Sequence, residues 1–493
     1  MVSRRDFLES SALAVGSVAL SKLPTLGAQQ ASPAMMGIQV GAISFVDEGT
    51  EKVLDNFQQM AAINTLFLAT FTYGRGIAGR QPKGNPLPDH GKQEYDDNFR
   101  GGNYATPHPE YYRNTSIKPE KSPDHPNYDV LADVLPAARR RNIKVIPWFE
   151  DVFRNDVPGL DKALEVTVHG KPGARPCLRN PNTRNFWLGM VEDYLRSYDV
   201  DGLMWGSERQ GPLNNALGAS HGGKPNPGGV GCFCQHCQEA GQKEGVRIDR
   251  AREGYLALER WIEAQGKGER PTDGAFVTFW RILVEHPEVL AWERLWNEGL
   301  RDAYRDMYRR AHEIAPAKPI GWHIWHTNSF APFYRAEQNY AEFSKYSDYL
   351  KVVIYNNSGG PRMRQYINNV NSTLFADLTP EQTLEFTYRV QQYENEKPLD
   401  RIAEEGLTAD YVLRETRRAV AGVNGRTKIW PGIEIDIPTG ANEKKTQPED
   451  VYQAVQAAFK GGAQGVILSR KYSEMKLDNL RAAGRAVRDL KLI

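Results

Sequence analysis

The hydrophobic positions fall into eight short apolar runs, most of them preceded by an amphipathic stretch of helical period. The runs span residues 37–46, 65–71, 144–149, 202–206, 319–325, 350–355, 428–435 and 465–469. Several are entered in the same way, a helix closing in a basic or glycine-containing turn and the strand beginning at once. Arg139-Arg140-Arg141-Asn142-Ile143 before Lys144 and Lys460-Gly461-Gly462-Ala463 before Gly465 are examples. Turns this tight leave little slack. Strands that alternate with helices must run parallel, and eight of them fit a closed barrel better than an open sheet. No G-x-G-x-x-G turn follows the first run, which removes the main signature of a dinucleotide-binding sheet. The expected fold class is therefore α/β, a (β/α)8 or TIM barrel.

Long segments follow strand 2 (72–129), strand 4 (208–318) and strand 6 (356–426). In a barrel such βα loops open on the C-terminal face, where active sites sit. The first is rich in Gly, Pro, His, Asn and Tyr and reads as a cleft wall. The other two carry helices. With no internal repeat or low-complexity tract, residues 36–493 read as a single catalytic barrel with insertions.

The first 31 residues differ in kind. Ser3-Arg4-Arg5-Asp6-Phe7-Leu8, the apolar run from Ser11 to Leu20 and the small residues through Gly27, Ala28 and Ala31 form the pattern of a twin-arginine signal peptide. Cleavage is expected near Ala28 or Ala31, and the mature protein in the periplasm or outside the cell. No later stretch approaches the length of a membrane span. Loss of Arg4, Arg5 and Lys22 against Asp6 and Glu9 takes the formal charge from +1 to 0. Without a basic run or net charge, nucleic acid is set aside as a partner. The sequence does not specify an oligomeric state.

Cys177, Cys232, Cys234 and Cys237 are the only cysteines. In an exported protein an even number first suggests disulfides. The C-x-C-x-x-C triplet, however, crowds three thiols into one glycine-flanked turn, where pairing among themselves is strained. Thiolates converging on a point suit tetrahedral zinc. A twin-arginine substrate folds before export and can load metal while its thiols are reduced. Cys177 follows strand 3 and the triplet follows strand 4, so neighbouring loops can bring all four together, with His236 or His221 as reserve ligands. A closed four-cysteine site makes the zinc structural. One disulfide plus two free thiols is the alternative, and no organic cofactor is indicated.

Cleaving a glycosidic bond takes two carboxyl groups, one protonated and one ionised. Strand 4 runs Gly202-Leu203-Met204-Trp205-Gly206-Ser207-Glu208 and delivers Glu208 to its C-terminal end. In strand 7, alternation puts Glu434 and Asp436 on one face, with Ile433, Ile435 and Ile437 on the other. Further strand ends are crowded with sugar-binding residue types. They hold Trp148, Glu150 and Asp151 (strand 3), His323, Trp325 and His326 (strand 5), Tyr355 and Asn356 (strand 6), and Arg470 and Tyr472 (strand 8). Aromatic faces take the C–H face of a sugar, while acids, amides and histidines take its hydroxyls. Trp205 joins this candidate set, although Trp205, Trp322 and Trp430 also read as core, and a single histidine as a structural hydrogen-bonder.

These residues resemble the clan A glycoside hydrolases, whose retaining members carry an acid/base glutamate after strand 4 and a nucleophilic glutamate at strand 7. The nearer likeness is to the zinc-containing β-galactosidases of glycoside hydrolase family 42. There a cysteine upstream of the acid/base and a C-x-C-x-x-C triplet downstream bind zinc, and Cys177, Glu208 and Cys232/Cys234/Cys237 occur here in that order. The resemblance implies Glu208 as acid/base, Glu434 as nucleophile with Asp436 as runner-up, and the cysteines as zinc ligands. Ser207-Glu208 departs from the clan's Asn-Glu, and there is no sign of the family's extra C-terminal domains. β-Galactosidase activity is therefore not implied.

The expected function is an exported glycoside hydrolase acting on a carbohydrate, retaining in preference to inverting. The carboxyl separation decides the outcome, about 5 Å for retention and about 6.5–9.5 Å for inversion. A divalent-metal sugar isomerase or epimerase, using the strand 5 histidines with Glu150 and Asp151, and a non-catalytic carbohydrate-binding barrel are the competing classes.

Overall fold

The structure is a computed structural model that describes residues 33–74 and 78–493. The signal-peptide pattern of residues 1–31 lies outside the described residues. Residues 34–493 form one compact unit.

Eight parallel strands are arranged in sequence order. They are β1 (Met35–Gly41), β2 (Thr65–Thr72), β3 (Lys144–Glu150), β4 (Leu203–Gly206), β5 (Ile320–Ile324), β6 (Tyr349–Val352), β7 in two pieces (Lys428–Ile429 and Gly432–Glu434) and β8 (Gly465–Ser469). The first piece of β7 pairs with β6 and the second with β8, and β8 pairs with β1. Pro431 has no N–H to give the ladder, so β7 is interrupted there. A bridge from Val353 to Gly432 carries the pairing across the break. The circuit is thus closed, a (β/α)8 barrel.

The first apolar run proves shorter as a strand than its pattern implied. β1 ends at Gly41, and Ala42–Glu48 is a helix whose first four residues are buried. Apolarity alone does not separate a strand from a buried helical turn.

Helices fill the long segments as expected after β4 (five, from Pro212–Leu217 to Glu288–Ile314) and after β6 (four, from Gly359–Asn371 to Ala409–Val423). The segment after β2 is largely irregular, with Gly102–Asn103 added antiparallel to the end of β2. An antiparallel hairpin, Leu164–Val166 with Pro172–Pro176, stands after β3. The sequence pattern had not singled it out, because its two short strands have no buried face to impose alternation.

Inside the barrel the lower layer is apolar, built from Phe67, Ile146, Met204, Tyr349, Trp430 and Ile467. Trp430 lies flat on Tyr349, with centroids 4.2 Å apart. The strand registers then put Glu150 beside Gly206, Gly206 beside His323 and His323 beside Lys351. The layer nearest the mouth is therefore polar. Two glycines make room for it. A Cβ on Gly432 would stand 2.7 Å from Lys351 Cε, and one on Gly206 would stand 3.2 Å from His323 Cβ.

Candidate active site

Glu208 follows β4 on the inward-facing side, and its side chain is 54% exposed. It opens on a cavity of about 820 Å³, which is also lined by Glu165, Arg175, Gln210, Asn215, His221 and Trp325. His323 Nε2 lies 2.9 Å from Glu208 Oε1. Lys351 donates to the other ring nitrogen, Nδ1, at 3.3 Å, and also to Gln39 Oε1 (2.7 Å) and Tyr355 Oη (3.2 Å). A nitrogen that accepts from Lys351 is unprotonated, so the Nε2 proton points at Glu208. The ring stacks on Trp148 at 6.1 Å, and burial followed by the Lys351 charge keeps its pKa low.

Electrostatics divide the acids of the mouth. Desolvation by the cavity walls pushes the Glu208 carboxyl up, but the hydrogen bond from the His323 Nε2–H, helped by the positive charge of Arg362, outweighs it and holds the carboxyl at about 2. Glu150 moves the other way, to about 7, through burial and then the negative charge of Glu208. Glu434 also rises to about 7 through burial, against the pull of Ser358 and Arg362. Burial lowers Lys351 to about 7, against the opposing pull of Glu208 and Glu150. Neighbouring groups whose pKa values are pushed apart are the usual mark of acid/base machinery.

Glu434 is more enclosed than the sequence implied. It is 1% exposed and accepts from the Ser358 N–H (2.8 Å) and hydroxyl (3.0 Å) on one oxygen, with the backbone of Asn357 adding to the pull on the carboxyl. Asp436, expected to face the mouth with it, caps the last helix instead. It accepts from the Lys476 N–H (2.7 Å) and from Asn479 Nδ2 (2.9 Å).

Several other candidates take places different from those expected. Asp151 is locked in a buried pair with Arg209 (Nε–Oδ2 2.6 Å, Nη2–Oδ1 2.7 Å) and also accepts from Ser207 (2.9 Å). Its oxygens are committed to holding the Glu208 loop, and Ser207 points there rather than into the cavity. Trp205 lies on the outer face of β4, edge-on to Trp187 and Tyr304, and Trp322 packs on Tyr304 from the same side. Tyr472 is buried between Phe57 and His90. Asn356 is buried and donates to its neighbour Asn357. His326 bridges Tyr411 (3.0 Å) and Arg362 (3.0 Å). Trp325 remains on the larger cavity, and Arg470 lines a second one of about 550 Å³.

Lys351 and Arg362 are functional candidates to which the sequence did not point, and His221, considered there only as a reserve zinc ligand, lines the larger cavity. Lys351 carried a usable signal, a lysine one residue before the end of an otherwise apolar strand. Arg362 carried none, because it sits in the first turns of a helix.

The four cysteine sulfurs lie within 4.8 Å of one another, with Cys177 3.6 Å from Cys237 and 3.5 Å from Cys234. No pair is disulfide-bonded, which removes the alternative of one bridge and two free thiols. Zn–S bonds of about 2.3 Å put sulfurs roughly 3.8 Å apart in a tetrahedron, so the cluster fits a metal. The Val166 N–H donates to Cys232 Sγ at 3.4 Å, and the Phe233 N–H to Val166 O at 2.7 Å. The site thereby pins the hairpin after β3 to the loop after β4, two walls of the larger cavity. The reserve ligands are not needed, since Cys177 joins the triplet. Among the described residues this is the one His/Cys/Asp/Glu group whose ligand atoms converge. The histidines and acids of the mouth do not form such a set, so the isomerase alternative lacks its ligands there. No helix among the described residues is long and apolar enough to cross a membrane.

No family model matches the chain, and no curated protein sequence matches it. Among solved structures it is similar to α-L-fucosidase isoenzyme 2 from Paenibacillus thiaminolyticus, with 12% identity and a TM-score of 0.48 over 93% of this chain and 49% of that one. It is also similar to the PgaB (BpsB) glycoside hydrolase domain from Bordetella bronchiseptica, with 13% identity and a TM-score of 0.46 over 93% and 99%. A third is a β-galactosidase from the Antarctic haloarchaeon Halorubrum lacusprofundi, with 13% identity and a TM-score of 0.49 over 93% and 58%. The chain spans about half the length of the fucosidase. The barrel assignment rests on the strand order, not on these likenesses.

Proposed function

We propose that the protein is an exported hydrolase of glycosidic bonds, with Glu208 as the carboxylate that meets the sugar. The observation that carries this reading is a half-exposed glutamate at a barrel strand end, opening on a cavity of about 820 Å³ and held ionised by His323. Glu434 is the second carboxyl. Arg362 acts electrostatically on both acids, which supports their sharing one mouth. The two environments favour roles opposite to those implied by the resemblance. Glu434, near pKa 7, holds the proton for the leaving oxygen, and Glu208 attacks the anomeric carbon or activates water. Ser358 must turn aside for Glu434 to reach the bond.

Glu150 has specific support as the alternative proton donor, being more exposed than Glu434 and sensing the Glu208 charge directly. His323 and Lys351 act behind Glu208, fixing its position and keeping it ionised. The cysteine cluster holds zinc as a structural ion, four thiolates leaving no open position for substrate. The twin-arginine pattern supports export.

The test is turnover by the mature protein on a panel of aryl glycosides, beside E208Q. A hydrolase loses about 10²–10⁴ in kcat with sugar affinity kept. A binding protein shows no turnover in either form.

A further inference from the structure

The smaller cavity, about 550 Å³, lies between the first turn of the Gly359–Asn371 helix and the loops after β7 and β8. Its charged lining consists of Arg362, Lys445, Arg470 and Glu443. Glu443 is paired with Arg364 at 3.3 Å, and Arg470 with Glu474. Lys445 donates only to Thr439 and to the Gly440 carbonyl (2.7–2.9 Å). Among the described residues neither Lys445 nor Arg362 has a carboxylate within ion-pair distance, so the cavity holds two cations without a contact ion pair.

Arg362 is fixed for use. Its Nη1 donates to His326 Nδ1 at 3.0 Å, and His326 is tied in turn to Tyr411. Its guanidinium carbon lies 5.6 Å from the centroid of the Tyr355 ring. Among the described residues Nε and Nη2 have no hydrogen-bond partner, and they are not among the sealed-off polar atoms. A mostly desolvated guanidinium without a contact counter-ion is costly, and the free Nε/Nη2 edge of its planar fork matches a carboxylate or sulfate bidentately. The positive end of the helix macrodipole adds to the same potential.

We infer that Arg362 and the 550 Å³ cavity receive an anionic substituent, so that the substrate is an acidic sugar bearing a carboxylate or sulfate rather than a neutral one. The inference rests on the hydrolase reading only in assigning the anion to a substrate. Ser358, which binds Glu434, lines the same cavity as Arg362, and this places the anionic group beside the Glu434 side of the mouth.

The experiment is calorimetric titration of D-glucuronate, D-glucose 6-sulfate, D-glucose and inorganic sulfate into the mature protein, E208Q, R362Q, R362K and K445Q. At least one charged sugar is expected to bind about tenfold or more tighter than glucose to wild type and E208Q alike, and the better one tells carboxylate from sulfate. R362Q should erase the preference, R362K restore part of it, and K445Q reduce it. Equal binding of charged and neutral sugars, or a preference that survives R362Q, overturns the inference. Inorganic sulfate matching the charged sugars also overturns it, since the site is then one for a bare anion. Should R362Q fail to fold, R362K and K445Q carry the same decision. A charged-sugar preference without turnover of any aryl uronide or hexoside supports the anion site and removes the hydrolase reading.

Discussion

β4 and β7 each bring one glutamate to the barrel mouth and treat it in opposite ways. Glu208 stands in open space, accepts from an imidazole and stays ionised at about 2. Glu434 stands behind Ser358, is almost fully buried and is held near 7. Both follow the same inward alternation, so strand geometry does not separate them. The difference comes from what the next loops supply. The Asp151–Arg209 pair holds the β4 loop, whereas Ser358, at the start of the first helix after β6, binds Glu434. Position on a strand selects a candidate acid, and the surrounding shell decides its protonation.

The comparison is broken most directly by exchanging the carboxyls one at a time. E434Q should lower kcat by about 10²–10⁴, with E150Q costing less than tenfold. The reverse order in kcat, measured on the best aryl glycoside, moves the proton donor to Glu150. Removing the metal is next in size. Elemental analysis should find one zinc per chain, and C237S should lose it with on the order of 3 kcal/mol or more of stability. A protease should then cut the freed hairpin at 164–176. An unchanged melting curve and an intact hairpin contradict a structural role.

pH dependence sharpens the same contrast. Glu208 must be ionised, true above about 2, and Glu434 protonated, true below about 7. kcat/KM should therefore be level through the mildly acid range and fall about tenfold per unit above pH 7. A rise in kcat/KM across pH 7 contradicts the assignment. The smallest effect is expected from G432A, whose new Cβ meets Lys351 Cε at 2.7 Å. It should cost roughly 1–3 kcal/mol in chemical denaturation. It should also move the acid limb of the profile, because Lys351 sets the state of the His323 ring that keeps Glu208 ionised.

Most of the barrel was legible because its cause is local: strands of period two, helices of period 3.6, and short turns that force adjacency. The cysteine site was legible for a related reason, since three of its thiols share one turn and the fourth lies in the adjacent loop. What the sequence hid depends on partners distant in the chain. Asp151 looked free until Arg209 reached it. Trp205 looked like a sugar platform although strand parity turns it toward Trp187 and Tyr304. Tyr472 follows a strand end yet folds back onto Phe57. Arg362 gains meaning only from His326 and Tyr355, distant in the chain, which fix it beside the smaller cavity.

The central claim is that Glu208 works as the ionised carboxylate facing the anomeric carbon. The most direct measurement is the anomeric configuration of the product formed by E208A in the presence of azide. An azide entering the space vacated by Glu208 attacks from that side, so the account predicts restored turnover and a glycosyl azide of configuration opposite to the substrate. A glycosyl azide of unchanged configuration would make Glu208 the proton-transferring residue and contradict the account.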